Sequence, residues 1–147
     1  MPKEKFEIVV VGGGHAGVEA ALISSFLGVS VALVTMDKNA IARMSCNPAI
    51  GGLAKGQIVR EMDVLGGIMA ETADVSGLQF KTLNKSKGRA VWSPRAQIDK
   101  RMYERNILKK VERSPVCIIQ SEATSIDIQN YKIKSVLLRT GEKINCS

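Results

Sequence analysis

Three groups of residues in this 147-residue chain have types and spacing that could do chemistry. The first is Gly12-Gly13-Gly14-His15-Ala16-Gly17, set between the apolar run Phe6 to Val11 and the alanine-rich stretch Val18 to Leu27. At this G-x-G-x-x-G spacing Gly12 lets a strand turn sharply into a helix. Gly14 lets a pyrophosphate approach the backbone with no Cβ in the way, and Gly17 lets the helix sit close on the sheet. Phosphates held there would face backbone N–H groups at a helix start, where the macrodipole presents about half a positive charge. The second group is Met44-Ser45-Cys46-Asn47-Pro48-Ala49-Ile50-Gly51-Gly52, a loop that brings together a thiol, the Asn47 amide and approachable glycine backbone. The third is Lys81 to Arg113, with eleven basic residues against three acids, an excess larger than the net charge of the whole chain, +7.

The elements that must position these groups follow from the hydrophobic pattern. Ile8-Val9-Val10-Val11 is a continuous apolar run suited to a parallel strand covered on both faces. Gly28 stands where a helix C′ glycine is wanted, and Val29 to Thr35 supplies a second strand, completing a β-α-β unit. An acid normally closes such a strand and binds the adenosine ribose. Here the tip is Thr35, with Asp37 two residues later, and either the neutral hydroxyl or the carboxylate from the loop could do that work. Asn47-Pro48 and Gly51-Gly52 are loop punctuation, so the second group is read as an irregular loop ordered by a bound cofactor. A helix from Lys55 to Leu65 ends at Gly66-Gly67.

Phe80 to Ala90 reads as a polar, cationic loop with donors for phosphate or another anion. Ser93 reads as an N-cap with Pro94 at the first helical position, opening a helix that runs to about Arg113 and stops at Ser114-Pro115. Val116 to Gln120 is then a third parallel strand. Ala123 to Ile128, Ile133 to Leu138 and Lys143 to Asn145 form a small antiparallel meander, with turns at Gln129-Asn130 and Thr140-Gly141.

Composition narrows the function classes. A chain that is 45% hydrophobic at this length could bury one core. No apolar run approaches membrane-spanning length, and a polar start followed directly by a strand leaves no room for a signal or transit segment. Cys46, Cys117 and Cys146 are irregularly spaced, so neither a disulfide framework nor a metal site is expected, and the setting is read as reducing and cytoplasmic. Clustered Lys and Arg are the footprint of polyanion binding, and a solvated helix face is the alternative. His15, the only histidine, is read as a helix-start residue near the phosphates rather than a general base.

The strand-GGGHAG-helix start, Met44 to Gly52, Lys55-Gly56, Gly66-Gly67, Gln79-Phe80, Leu83-Asn84-x-Ser86-Lys87-Gly88 and Arg95-Ala96-Gln97 together resemble the N-terminal part of the MnmG (GidA) family of tRNA wobble-uridine modification enzymes. The resemblance runs from about Phe6 to the chain end, and the MSCNPAIGG stretch is its most specific part. It implies an α/β, Rossmann-like FAD-binding domain, a parallel sheet with crossover helices plus a small antiparallel meander, incomplete at its C-terminus. Residues 1–147 would then be the N-terminal portion of that domain, with no second domain present. It implies FAD as cofactor, NADH as reductant, and methylene-tetrahydrofolate as carbon donor. It further implies tRNA as substrate, a homodimer, and a heterotetramer with the GTPase partner MnmE, which together install a (carboxymethyl)aminomethyl group at C5 of the wobble uridine. Under it Gly12, Gly13, Gly14, His15, Ala16 and Gly17 hold the FAD pyrophosphate and Ala123 touches the adenosine through its backbone; the reading of the residues themselves adds Thr35 and Asn47 to the cofactor set.

Cys46 matches a family cysteine near the flavin and is read as a thiolate nucleophile towards the uracil ring, the alternative being a small apolar packing group. The chain departs from the family at Gly88-Arg89-Ala90, where members usually have Gly-Pro-Ala, and in length, family chains being several times longer. A generic flavin oxidoreductase, the related folate-dependent flavoprotein that methylates tRNA uridine, and an inactive truncated FAD-binding module are the rival readings; the MSCNPAIGG stretch argues against the first two.

Overall fold

The computed structural model describes residues 5–44 and 47–146. In chain order the elements are β1 (Lys5–Phe6), β2 (Ile8–Val11), α1 (His15–Phe26) and β3 (Val31–Thr35). Next come β4 (Ala49–Gly51), α2 (Lys55–Val64), α3 (Met69–Val75), β5 (Gly77–Leu83), β6 (Ser93–Ile98) and α4 (Lys100–Glu112). The chain closes with β7 (Cys117–Gln120), β8 (Ala123–Gln129), β9 (Lys132–Leu138) and β10 (Lys143–Cys146). They group into two compact units, residues 5–42 with 108–146, and residues 43–107.

The first unit is built on a parallel sheet of order β2-β3-β7, with Ile8 to Val11 registered on Val31 to Val34, and Ala32 to Thr35 on Cys117 to Gln120. All five residues of β3 are buried, as a central strand covered on both faces requires. Alternation divides them: Ala32 and Val34 join a cluster with Phe6, Leu138 and Ile144, against which Val9, Cys117 and Ile119 also pack. Val18, Ala21 and Leu22 of α1 are buried, and a valine or leucine side chain so enclosed contributes about 1.5–3 kcal/mol of transfer free energy.

The predicted three-stranded meander is present and gains a fourth strand. Its order is β1-β10-β9-β8, with β1 running parallel to β10 through Lys5–Asn145 and Phe6–Cys146. The apolar run that reads as one strand therefore breaks at Glu7, whose amide and carboxylate both bond Ser30. Phe6 serves one sheet and Ile8 the other.

The second unit differs most from the sequence reading. Ala49–Gly51 and Phe80 to Leu83, read as loop, and Ser93-Pro94, read as a helix start, all belong to a three-stranded antiparallel sheet of order β4-β6-β5. Ser93 caps nothing: it is buried and its hydroxyl donates to the Gly52 carbonyl. Pro94 is tolerated because the registered pairs of β4 end at Gly51–Arg95, so its missing N–H removes no ladder bond from that side. The helix instead starts at Lys100, with the Asp99 carboxylate accepting from the Met102 amide at 2.9 Å. The Ser93-Pro94 helix-start signal thus lies six positions too early, and the side-chain acceptor is Asp99. The loop joining β5 to β6 keeps its expected polar, cationic character. It is braced by Asn84 Nδ2 donating to the Val91 carbonyl at 3.2 Å and by Trp92 Nε1 donating to the Lys87 carbonyl at 3.1 Å.

Candidate functional site

The carboxyl end of the parallel sheet gathers most of the residues singled out for a nucleotide. Gly12 takes φ +108°, a conformation that strains any side chain, and its amide donates to the Val34 carbonyl at 2.8 Å, pinning the turn to β3. A methyl group at Gly17 would overlap the Gly12 carbonyl oxygen, so this glycine sets how closely α1 meets the turn. A Cβ on Gly14, by contrast, would have nothing within 4 Å. Gly14 is also the N-cap of α1, and having no side chain it gives the amides at the start of α1 no side-chain cap. Half-buried His15, exposed Ala16 and half-buried Gly17 form this first turn.

Gly13 has a role that spacing does not reveal. It is buried, and a Cβ there would come within 2.9 Å of Thr35 Oγ1 and 3.2 Å of Ile41 Cγ1. The Gly13 carbonyl accepts from the Ala42 amide at 2.8 Å, with Ala42 itself at φ +54°. The loop after β3 is thereby folded back onto the glycine turn. The two ribose candidates also separate. Asp37 Oδ1 accepts from the Asn39 amide at 2.9 Å, capping its own short turn. Thr35, 8% exposed, packs its hydroxyl at Gly13 and donates it to the Asp37 carbonyl at 3.3 Å, which leaves oxygen lone pairs to accept. Ala123 opens β8 just beyond Ser121, whose amide donates to the Thr35 carbonyl at 2.9 Å. Ala123 opens a strand of the other sheet but follows β7 by three residues, so it, Thr35 and the glycine turn gather at the carboxyl end of the parallel sheet, where ligands of open α/β sheets bind.

Asn47 lies in the second unit, exposed, with its carbonyl accepting from the Ala49 amide at 2.7 Å. Cys46 and its neighbour Ser45 lie outside the described residues.

The structure also divides the basic segment. Lys100 to Arg113 belong to α4 and the turn after it, where Lys100 approaches Glu104 at 4.0 Å in an i,i+4 pair typical of a solvated helix face. Lys81 and Arg95 are different, being registered directly opposite one another on β5 and β6. Two hollows adjoin them within the second unit. One, about 610 Å³, is lined among others by Val59, Arg60, Asp63, Ala73 and Phe80; the other, about 290 Å³, is lined by Gln79, Lys81, Leu83, Arg95 and Gln97. Sequence reading missed the second because the signal lies in a cross-strand register that only the hairpin fixes. Among the described residues no group of three His, Cys, Asp or Glu is disposed to hold a metal, and no helix is long and apolar enough to cross a membrane.

Comparison with known proteins matches residues 7–147 to the family described as glucose inhibited division protein A, GIDA. A relative from Thermodesulfovibrio yellowstonii, the tRNA uridine 5-carboxymethylaminomethyl modification enzyme MnmG, is 51% identical over 145 residues, covering 96% of this chain and 23% of its own length. The solved structure of Aquifex aeolicus GidA superposes with a TM-score of 0.93 at 44% identity, over 99% of this chain and 24% of that one. The flavin-dependent brominase Bmp2, at 21% identity and a TM-score of 0.63 over 97% of this chain and 36% of its own, shares the fold alone. The chain spans about a quarter of the length of the curated relatives it matches. With most of its length matched to one family and its fold superposed on a solved member, the chain belongs to the GidA family, as its glycine turn and MSCNPAIGG stretch suggest.

Proposed function

We propose that this chain forms the FAD-clamping part of an enzyme that modifies uridine in tRNA, as the names of its relatives indicate for those proteins. One observation carries the reading: a helix start with no side-chain cap, open above Gly14, set at the carboxyl end of a parallel sheet. The fit to a dinucleotide is specific. Gly12 to Gly17 offer a turn and a row of amides for a pyrophosphate, Thr35 a buried hydroxyl oxygen for the adenosine ribose, and Ala123 backbone for the adenine side. Bound FAD would supply two-electron redox chemistry, while the chain's own residues bind, orient and neutralise it. Asn47 would contribute an amide from the neighbouring loop, and Cys46 a thiolate nucleophile towards the uracil ring. NADH as reductant, methylene-tetrahydrofolate as carbon donor, a homodimer and a GTPase partner of the MnmE type belong to the same reading, as does a cytoplasmic setting.

Titration with FAD, followed by flavin fluorescence, tests it. Saturable quenching that Gly14→Val abolishes is expected, and its absence in the unaltered protein overturns the cofactor assignment. In the tRNA-modifying protein, Cys46→Ser should keep the yellow flavin spectrum and lose modification. Unchanged modification removes Cys46 from the chemistry.

A further inference from the structure

Successive side chains of a strand point to opposite faces, so Gln79, Lys81 and Leu83 share one face of β5, and Arg95 and Gln97 share one face of β6. Antiparallel register sets Lys81 directly opposite Arg95 and Gln79 opposite Gln97, with Cβ atoms about 5 Å apart in such pairs. Two like charges placed this way destabilise a bare sheet. Neither cation has an ion pair among the described residues, and no acid lines the hollow of about 290 Å³ beside this face, although both cations also border the larger hollow that holds Asp63 and Asp74. The arrangement makes sense if an anion from outside sits between the two cations. The flanking carboxamides each present a donor and an acceptor side by side, the complement of a base edge. At the far end of the same hairpin Trp92 is 39% exposed, with the Arg89 guanidinium 5.8 Å from its ring centroid, a stacking surface beside a positive charge. Alternative occupants fit less well: a duplex is too wide for a hollow of this size, and a lone inorganic anion leaves the carboxamides and the indole without a role.

We infer that the Gln79–Lys81–Arg95–Gln97 face of the β5–β6 hairpin seats unpaired nucleotides of an RNA strand, the phosphate lying between Lys81 and Arg95 and a base against Gln79 and Gln97. The inference deepens the tRNA-modifying reading and takes its strand type from it. It assigns the strand to a place in the second unit that the glycine turn does not involve.

The test is binding of a fluorescent single-stranded RNA of about twelve nucleotides, read by anisotropy and by quenching of Trp92, the chain's only tryptophan. Lys81→Gln with Arg95→Gln should weaken binding at least about tenfold and reduce the slope of log affinity against log salt by about 1.4, two single-strand phosphate contacts. It should leave thermal stability unchanged or raised, because a like-charge pair is removed. Lys81→Arg with Arg95→Lys should restore affinity. Should the first double variant unfold, Lys81→Gln alone, on the edge strand β5, carries about half the change in slope. Unaltered affinity and slope overturn the inference, as does an equal loss for duplex RNA of the same length. Flavin titration of the same proteins keeps the two readings apart: RNA loss with flavin binding intact supports this face, whereas absent flavin binding with the RNA result intact removes only the glycine-turn assignment.

Discussion

The two units present two different ways to meet an anion. The glycine turn would do it with backbone: Gly12, Gly14 and Gly17 contribute no side-chain atom, and the positive potential would come from amides at a helix start. The β5–β6 face does it with side chains, a cation on each of two strands brought together by register. A backbone site is built by removing atoms and fails when any are added. A side-chain site is built by placing atoms and fails when the charge is taken away. The first leaves its mark in local spacing, and the second leaves none until the strands are paired.

Substitutions within the turn should break the first mode hardest. Gly17→Ala puts a Cβ against the Gly12 carbonyl, a backbone atom that cannot swing aside, so a loss of about 3 kcal/mol in unfolding free energy is expected together with loss of FAD binding. Chemical denaturation and flavin fluorescence measure the two. A fully stable Gly17→Ala chain would mean that the turn is looser than its geometry states.

Gly14→Ala separates binding from folding. The site around it is open and its φ of −72° is accessible to alanine, so stability should fall by no more than about 1 kcal/mol, the difference between glycine and alanine at an N-cap. FAD affinity should nevertheless drop at least about tenfold, the equivalent of 1.4 kcal/mol. Equal affinity would show that the phosphates do not approach there.

Asp99→Ala tests the corrected helix start and should cost about 1 kcal/mol, whereas Asp99→Ser should recover most of it. A neutral result would mean that the Asp99 bond does not hold the helix start. Thr35→Val removes one hydroxyl at nearly constant volume and should cost about 1 kcal/mol in stability through its lost bond to the Asp37 carbonyl. Flavin titration should show severalfold weaker FAD binding, and unaffected affinity would hand the ribose to another group. Smallest of all, Glu122→Gln breaks the 2.8 Å pair with Arg139, whose partners are both exposed, and should change stability by less than about 0.5 kcal/mol in a thermal melt. It is the control for charge outside either anion site.

Much of the first unit was legible because its signals are local. The run Ile8 to Val11, the glycine turn, Gly28 and the run Val31 to Thr35 each carry their own conformational preference, and the β-α-β crossover joins them in the only hand commonly available. The second unit is less legible. Ser93-Pro94 has the local chemistry of a helix start, yet the Ser93 hydroxyl is drawn to Gly52, forty-one residues earlier, and pairing with β4 and β5 holds the segment extended. Phe80 to Leu83 reads as loop in the sequence because its charges obscure a period-two pattern that has meaning only once β6 lies beside it. Glu7 interrupts an apolar run without a turn residue, and only its bonds to Ser30 show that the run serves two sheets.

By itself the sequence determined the family, the order of the parallel strands' elements and the residues of the glycine turn, since each depends on interactions among near neighbours in the chain. Only the tertiary structure decided that Gly13 is pressed against Thr35 and held by Ala42, and that Lys81 faces Arg95. Those relations join residues that chain connectivity leaves far apart, and strand register and loop closure, which no local propensity encodes, bring them together.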